Sequence, residues 1–158
     1  MLIVTYISST RPSTPAHFAY RSVGVFSNPG NLAKITPPSM RFVVTSGTSA
    51  APIYPGQIIE YTIRPLLGIK MYWMTEITHV KDGVYFVDEQ RFGPYSLWHH
   101  QHHFREVAGG VEMTDIVHYR IPYGWIGDLA NALFVGRQLR EVFAFRKTAV
   151  EQLFPLNR

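Results

Sequence analysis

Residues 86–104 read FVDEQRFGPYSLWHHQHHF, and the period of two in this stretch decides the fold. Successive strand side chains point to opposite sides of a sheet, so Phe86, Asp88, Gln90 and Phe92 fall on one face of a strand. Gly93-Pro94 breaks that strand. Trp98, His100, His102 and Phe104 then share one face of the next, with His99 and His103 on the other. Each inner set is a row of aromatics with polar groups interleaved. A plain core face would be aliphatic, and a solvent face would lack the Trp and the Phe. Polar groups in such a row need partners, because an unpaired buried one costs about 1–3 kcal/mol. The pattern predicts a lined cavity.

Outward from this stretch, similar runs predict strands at 40–45, 57–64, 69–80, 84–92, 97–107 and 111–121. Pro55-Gly56, Pro65 to Gly68, Lys81-Asp82-Gly83, Gly93-Pro94 and Gly109-Gly110 separate them. Connectors this short favour an antiparallel meander. Leu2 to Ser8 reads as a first strand, and Arg11 to Pro15 as a turn. Residues 17–26 can form a short helix, with a second helical turn reaching Ile35 and stopped by Pro37-Pro38.

The final element is a helix over 126–154, roughly 43 Å long at 1.5 Å per residue. Ala132, Val135, Leu139, Val142, Phe143, Val150 and Leu153 form its apolar stripe. Asp128 sits in the first turn, where a carboxylate suits the helix dipole. Arg146 interrupts the stripe, either snorkelling to solvent or reaching Asp115, Asp88 or Glu76 on the sheet. Phe134 and Phe145 lie on a second line of this helix. Either the segment 18–26 covers them, which is the expectation, or they form a strip fit for a two-fold homodimer.

These residues carry a resemblance. Gly93-Pro94-Tyr95, Trp98, His100, His102 and Phe104 resemble the G-P-[FY]-x-x-W-x-H-x-H-x-F signature of a bacterial branch of the SRPBCC (START-like, polyketide cyclase/dehydrase-like) superfamily. Asn31-Leu32 with Ile35-Thr36-Pro37-Pro38 is similar to its N-L-x-x-I-T-P-P segment. Gly56 to Tyr61 resembles G-x-x-I-x-Y, and Trp73 with Thr75-Glu76-Ile77 resembles W-x-T-E-I. Asp115, Val117, Tyr119, Pro122 and Gly124 follow D-x-V-x-Y-x-x-P-x-G, and Phe143 with Arg146 follows F-x-x-R. The resemblance covers about residues 23 to 154. It implies a helix-grip fold around an apolar cavity and no metal. Members of the branch often carry cyclase or cell-division-inhibitor labels without an assigned reaction. A sheet, two short helices and one long closing helix are the same α+β arrangement, so the two routes converge.

Composition narrows the function. A chain of 158 residues with 46% apolar content is expected to form one domain, spanning 1–158. The formal charge is only +4 and its basic residues are scattered, which argues against nucleic acid as partner. There are no cysteines, so disulfides, thiolate metal sites and a Cys nucleophile are excluded, and a cytoplasmic location fits. Met1 to Ile7 is apolar but too short to span a membrane.

The expected function is binding of a hydrophobic small molecule, a lipid or polyketide for instance, without a cofactor. The alternative is a cyclase or dehydratase-type enzyme whose proton-transfer set is His100, His102, Asp88 and Asp115. A third possibility is an interaction domain, since in related proteins this module can accompany a nucleotide-sugar-epimerase-like domain. The residues expected against the ligand are Tyr61, Met71, Trp73, Phe86, Gln90, Trp98, His100, His102, Phe104, Val117, Tyr119, Leu139, Phe143 and Arg146, with Ile63 and Thr75 on the same faces. An H-x-H pair can chelate zinc, but alternation splits the four histidines into an inner and an outer pair. Hydrogen-bonded histidines are therefore expected rather than metal ligands.

Overall fold

Alternation shapes the sheet. In the computed structural model, which describes residues 1–8, 29–46, 52–65, 68–108 and 110–153, seven strands pair antiparallel throughout. They are β1 (Leu2–Ser8), β2 (Val43–Ser46), β3 (Ile58–Ile63), β4 (Met71–Lys81), β5 (Tyr85–Phe92), β6 (Leu97–Val107) and β7 (Gly110–Arg120). The order across the sheet is β1-β7-β6-β5-β4-β3-β2. Six strands run as a meander, as the short connectors require, and β1 closes onto β7 with Leu2 opposite Val117 and Ser8 opposite Val111.

Residues 40–42, expected to open a strand, do not. Pro38–Met40 forms a 3-10 turn seeded by proline, and Arg41 caps it in the left-handed region at φ 44°. β2 starts only at Val43. Before it, α1 (Pro29–Leu32) runs into a 3-10 turn over Ala33–Ile35, and Thr36 Oγ1 donates to the Leu32 carbonyl at 2.6 Å. The turn at 11–15 and the helix at 17–26 lie outside the described residues.

The closing helix departs from one regular cylinder. α2 (Trp125–Ala130) passes into a π-helical turn over Asn131–Val135 and then into α3 (Gly136–Leu153). Gly127 makes the start possible, since a Cβ there would collide with the Pro122 carbonyl oxygen. Inside the π turn, Tyr119 donates its hydroxyl to Asn131 Oδ1 at 2.9 Å, and the Gly136 N–H reaches back to the Asn131 carbonyl. A π turn inserts an extra residue and slips the phase of everything beyond it. Phe134 and Phe145 therefore do not share an environment: Phe134 is 59% exposed and Phe145 is half-buried. The segment expected to cover them lies outside the described residues.

Leu139, Phe143 and Val150 turn the buried side of α3 onto the sheet. Ile35, Ile53, Ile59, Ile77, Phe86, Phe104, Val111, Met113 and Val150 pack into a continuous core. The architecture is α+β, a curved antiparallel sheet gripping a long C-terminal helix, which is the helix-grip fold. No described helix is long and apolar enough to cross a membrane.

Candidate functional site

Period two places one row per strand on the face beneath α3. β3 contributes Ile59, Tyr61 and Ile63, and β4 contributes Trp73, Thr75 and Ile77. Phe86 and Asp88 come from β5, and Trp98, His100 and His102 from β6. Leu139, Val142, Phe143 and Arg146 of α3 face them across a cavity of about 140 Å³. Leu32, Ile35 and Thr36 close one side, with Met40, Phe42 and Ile53.

The cavity's aromatic end is built by a turn. Gln90 clamps the Gly93-Pro94 turn, its amide donating to the Tyr95 carbonyl at 2.6 Å and accepting from the Tyr95 N–H at 3.2 Å. Gly93 is needed because a Cβ there would run into that amide. The clamp sets Tyr95 against Trp98 and Trp73, with ring centroids 4.9 and 5.5 Å apart, and the two indoles meet edge-on at 5.2 Å. Two of the polar tips here are satisfied locally. Trp73 Nε1–H donates to Thr75 Oγ1 at 3.0 Å, and the Tyr61 hydroxyl lies 2.9 Å from the same oxygen. Burial, and then the charge of Asp88, push the Tyr61 hydroxyl well above its ordinary pKa, so it stays neutral.

The polar centre is a ring of four side chains. His100 pairs across to Asp88 on β5, and His102 to Asp115 on β7. His100 Nε2 lies 3.0 Å from Asp115 Oδ1 and its Nδ1 3.3 Å from Asp88 Oδ2. His102 Nε2 lies 2.7 Å from Asp88 Oδ2. Its Nδ1 is 2.8 Å from Asp115 Oδ1 but lacks the direction of a hydrogen bond. Burial opposes the charge on each carboxylate, yet the two imidazoles outweigh it and hold both Asp88 and Asp115 well below the usual carboxylate range. Burial also opposes the proton on His100, and the two carboxylates outweigh that in turn, raising its pKa. Arg146 Nη1 stands 3.7 Å from Asp115 Oδ2, so of the three carboxylates open to it the helix arginine reaches Asp115.

The outer histidines do separate work. His99 Nδ1 lies 2.8 Å from Glu89 Oε1, and Gln101 bridges His99 and His103 along the outer face.

Of the residues expected against a ligand, Tyr61, Trp73, Phe86, Trp98, His100, His102, Leu139, Phe143 and Arg146 line the cavity. Met71, Gln90, Phe104, Val117 and Tyr119 do not, each for a local reason. Gln90 is spent on its turn, and Tyr119 on Asn131. Phe104 packs on Phe86 in the solid core, and Val117 lies fully buried opposite His100. Met71 sits at the outer end of β4, opposite Ile63. Asp115 is 0% exposed and lies behind the imidazoles rather than on the wall. Sequence reasoning missed Tyr95 and the turn residues Leu32, Ile35, Met40 and Phe42. The Gly-Pro-Tyr order held a signal for Tyr95, whereas the turn residues carry no periodicity.

Asp88, His100 and His102 each offer one ligand atom within 4.8 Å of the others, a spacing that can hold a metal ion. The chemistry of the set fits a metal poorly. Asp88 Oδ2 already sits 2.7 and 3.3 Å from imidazole nitrogens, and the Arg146 guanidinium adds positive charge nearby.

No protein-family model matches the chain, and no curated protein does. Solved structures of the same fold are numerous. Protein CV1439 from Chromobacterium violaceum superposes with a TM-score of 0.72 at 12% identity, covering 99% of this chain and 98% of that one. The ginseng major latex-like protein 151 from Panax ginseng gives 0.66 at 12% identity, with 98% and 96% covered. The nucleoside-diphosphate sugar epimerase from Corynebacterium glutamicum gives 0.62 at 17% identity, where 96% of this chain matches 28% of that one. At these identities the likeness is one of fold.

Proposed function

We propose that this protein binds an apolar small molecule in the cavity between α3 and the sheet, with residues 1–158 acting as one binding domain. The observation that carries the reading is the aromatic wall of Tyr61, Trp73, Tyr95 and Trp98 around open space, where an ordinary core would interdigitate aliphatics to close packing. The cavity gathers a few convergent polar groups at one place, His100, His102, Asp88 and Arg146, as a site that orients its ligand requires.

The test is fluorescence titration with 4-(dimethylamino)benzonitrile, an uncharged single-ring dye whose emission reports its surroundings. One dye per chain is expected, with Val142→Trp, which fills the cavity from α3, weakening binding at least tenfold. A Leu133→Ser, Phe134→Ser variant controls for the exposed apolar residues of the helix and is expected to leave the affinity unchanged. Dye bound equally by Val142→Trp, or lost in the control, overturns the reading.

A second reading has its own observation. His102 Nδ1 is buried beside the cavity without a well-directed hydrogen bond, in a pair of imidazoles held between carboxylates, which is the composition of a proton-transfer site. A cyclase or dehydratase-type enzyme would then use the same cavity. His100→Ala and His102→Ala would abolish conversion of a candidate substrate while leaving its affinity nearly unchanged. Equal losses of affinity with no turnover in wild type favour the binder.

A further inference from the structure

Arg146 is a cavity residue whose charged donors the fold leaves unspent. It lines the cavity from α3 with its side chain only 11% exposed, and its Nε and Nη1 are buried with no hydrogen-bond acceptor. Its nearest counter-charge, Asp115 Oδ2, stands at 3.7 Å, beyond a hydrogen bond. The other oxygen of that carboxylate faces both His100 and His102, at 3.0 and 2.8 Å. The Phe143 ring lies 5.2 Å beneath the guanidinium and holds it in place over the cavity. A buried donor left unmade costs about 1–3 kcal/mol, and more when charged. Such a group therefore calls for an acceptor, and the planar fork of a guanidinium matches a carboxylate bidentately.

We infer that the cavity takes a small carboxylic acid, its apolar body against the aromatic wall and its carboxylate on Arg146. This rests on the binding reading above and names the ligand class for it. Two further observations support it. A cavity of about 140 Å³ is close to the size, roughly 150 Å³, that holds a single benzene ring, so the body is a monocyclic or similarly compact group. The buried charges can also accommodate an incoming anion. Each imidazole lies between Asp88 and Asp115, and with His100 protonated, as these carboxylates favour, Asp88, Asp115, His100 and Arg146 are together formally neutral. Tyr61 and Tyr95, the other titratable groups on this wall, stay neutral because burial pushes both hydroxyls up, and Tyr61 is occupied by Thr75. A carboxylate on Arg146 thus meets two aspartates already offset by His100 and the guanidinium, and is not repelled by them.

The probes are 3-phenylpropanoate and its uncharged isostere 3-phenylpropanamide, measured by calorimetry and by displacement of 4-(dimethylamino)benzonitrile. Wild type is expected to bind the acid at least tenfold more tightly than the amide. In Arg146→Met that ratio should fall to near one, and in Arg146→Lys, which keeps the charge but loses the fork, it should be intermediate. Because the amide serves as reference within each variant, a general loss of packing does not imitate the effect. Should Arg146→Met fail to fold, Arg146→Gln gives the same comparison. 4-(Dimethylamino)benzonitrile bound while the acid binds no better than the amide, or while neither displaces the dye, overturns the carboxylate and leaves the binding reading standing. A preference for the acid that survives removal of Arg146 also overturns it. Failure of the dye and both probes to bind wild type removes the binding reading itself.

Discussion

His100 and His102 lie two residues apart on one face of β6, and their imidazole rings lean together to 3.7 Å between centroids, each in contact with both Asp88 and Asp115. Two imidazoles this close would resist protonation if they stood alone. The carboxylates on either side reverse that, which is why His100 is raised and both aspartates are lowered. The four groups behave as one unit, so a change at any member is felt by the others.

Removing one member of such a ring strands the rest. Asp115 is 0% exposed, and Asp115→Ala leaves Arg146 and two imidazoles without their shared anion. The expected loss is about 3–5 kcal/mol, read as a lower urea midpoint at unchanged slope. A loss below about 1 kcal/mol would show that the ring does not hold the sheet and α3 together.

The same shifts fix how stability depends on pH. A histidine raised on folding, as His100 is, contributes fully below its unfolded value near pH 6.5 and loses that contribution as pH rises through the folded value. Carboxylates lowered on folding, as Asp88 and Asp115 are, contribute above about pH 4 and lose it as pH falls towards their folded values. Together these groups favour the fold most between about pH 4 and 6.5. Urea midpoints taken near pH 3, 5.5 and 8.5 should be highest at the middle value in wild type, with a flatter profile in a His100→Phe variant. A wild-type midpoint that keeps rising to pH 8.5 contradicts this.

Gly93→Ala should act through Gln90 as well as through the backbone, whose φ of 158° an L side chain rarely adopts. The added methyl displaces the Gln90 amide and breaks both of its bonds to Tyr95. Two hydrogen bonds at about 0.5–1.5 kcal/mol each set the scale at roughly 1–3 kcal/mol. Tyr95 also loosens from Trp73 and Trp98, so the tryptophan emission should shift with the stability. An unaltered spectrum and midpoint would mean that the clamp does not hold the aromatic wall.

Gly127→Ala is expected to be the more damaging glycine substitution. Its methyl meets the Pro122 carbonyl, which is backbone and cannot swing aside. The start of α2 must lift away from the segment after β7, with a loss of more than about 2 kcal/mol in thermal or urea unfolding. Wild-type stability in this variant would show that α2 is not seated as described.

Elemental analysis of protein made without a histidine tag should find well below one zinc, nickel or iron per chain. Asp88, His100 and His102 have the spacing of a metal site, but their donor atoms already serve one another beside a guanidinium. A stoichiometric ion lost on His102→Ala would reverse this expectation.

What the sequence determined by itself was written at short range. Strand alternation needs only neighbouring residues, so the rows through Trp73, Asp88, Trp98, His100 and His102 were legible, and the short turns between them forced the meander and the helix-grip fold. The helical stripe likewise placed Leu139, Phe143 and Arg146 over the sheet. Tertiary structure decided what depends on how far each row extends and on what else competes for a side chain. Gln90 and Tyr119 fit the pattern of lining residues, but a turn and a π-helical asparagine claimed their hydrogen bonds first. Phe104 and Val117 continued the pattern into the part of the sheet that packs solid. The π turn was invisible to a count of 100° per residue, because it depends on Tyr119 reaching Asn131 from another element. That four polar groups would close into one ring, and leave Arg146 with donors to spare, follows from strand register across β5, β6 and β7, a relation between distant residues that no local spacing encodes.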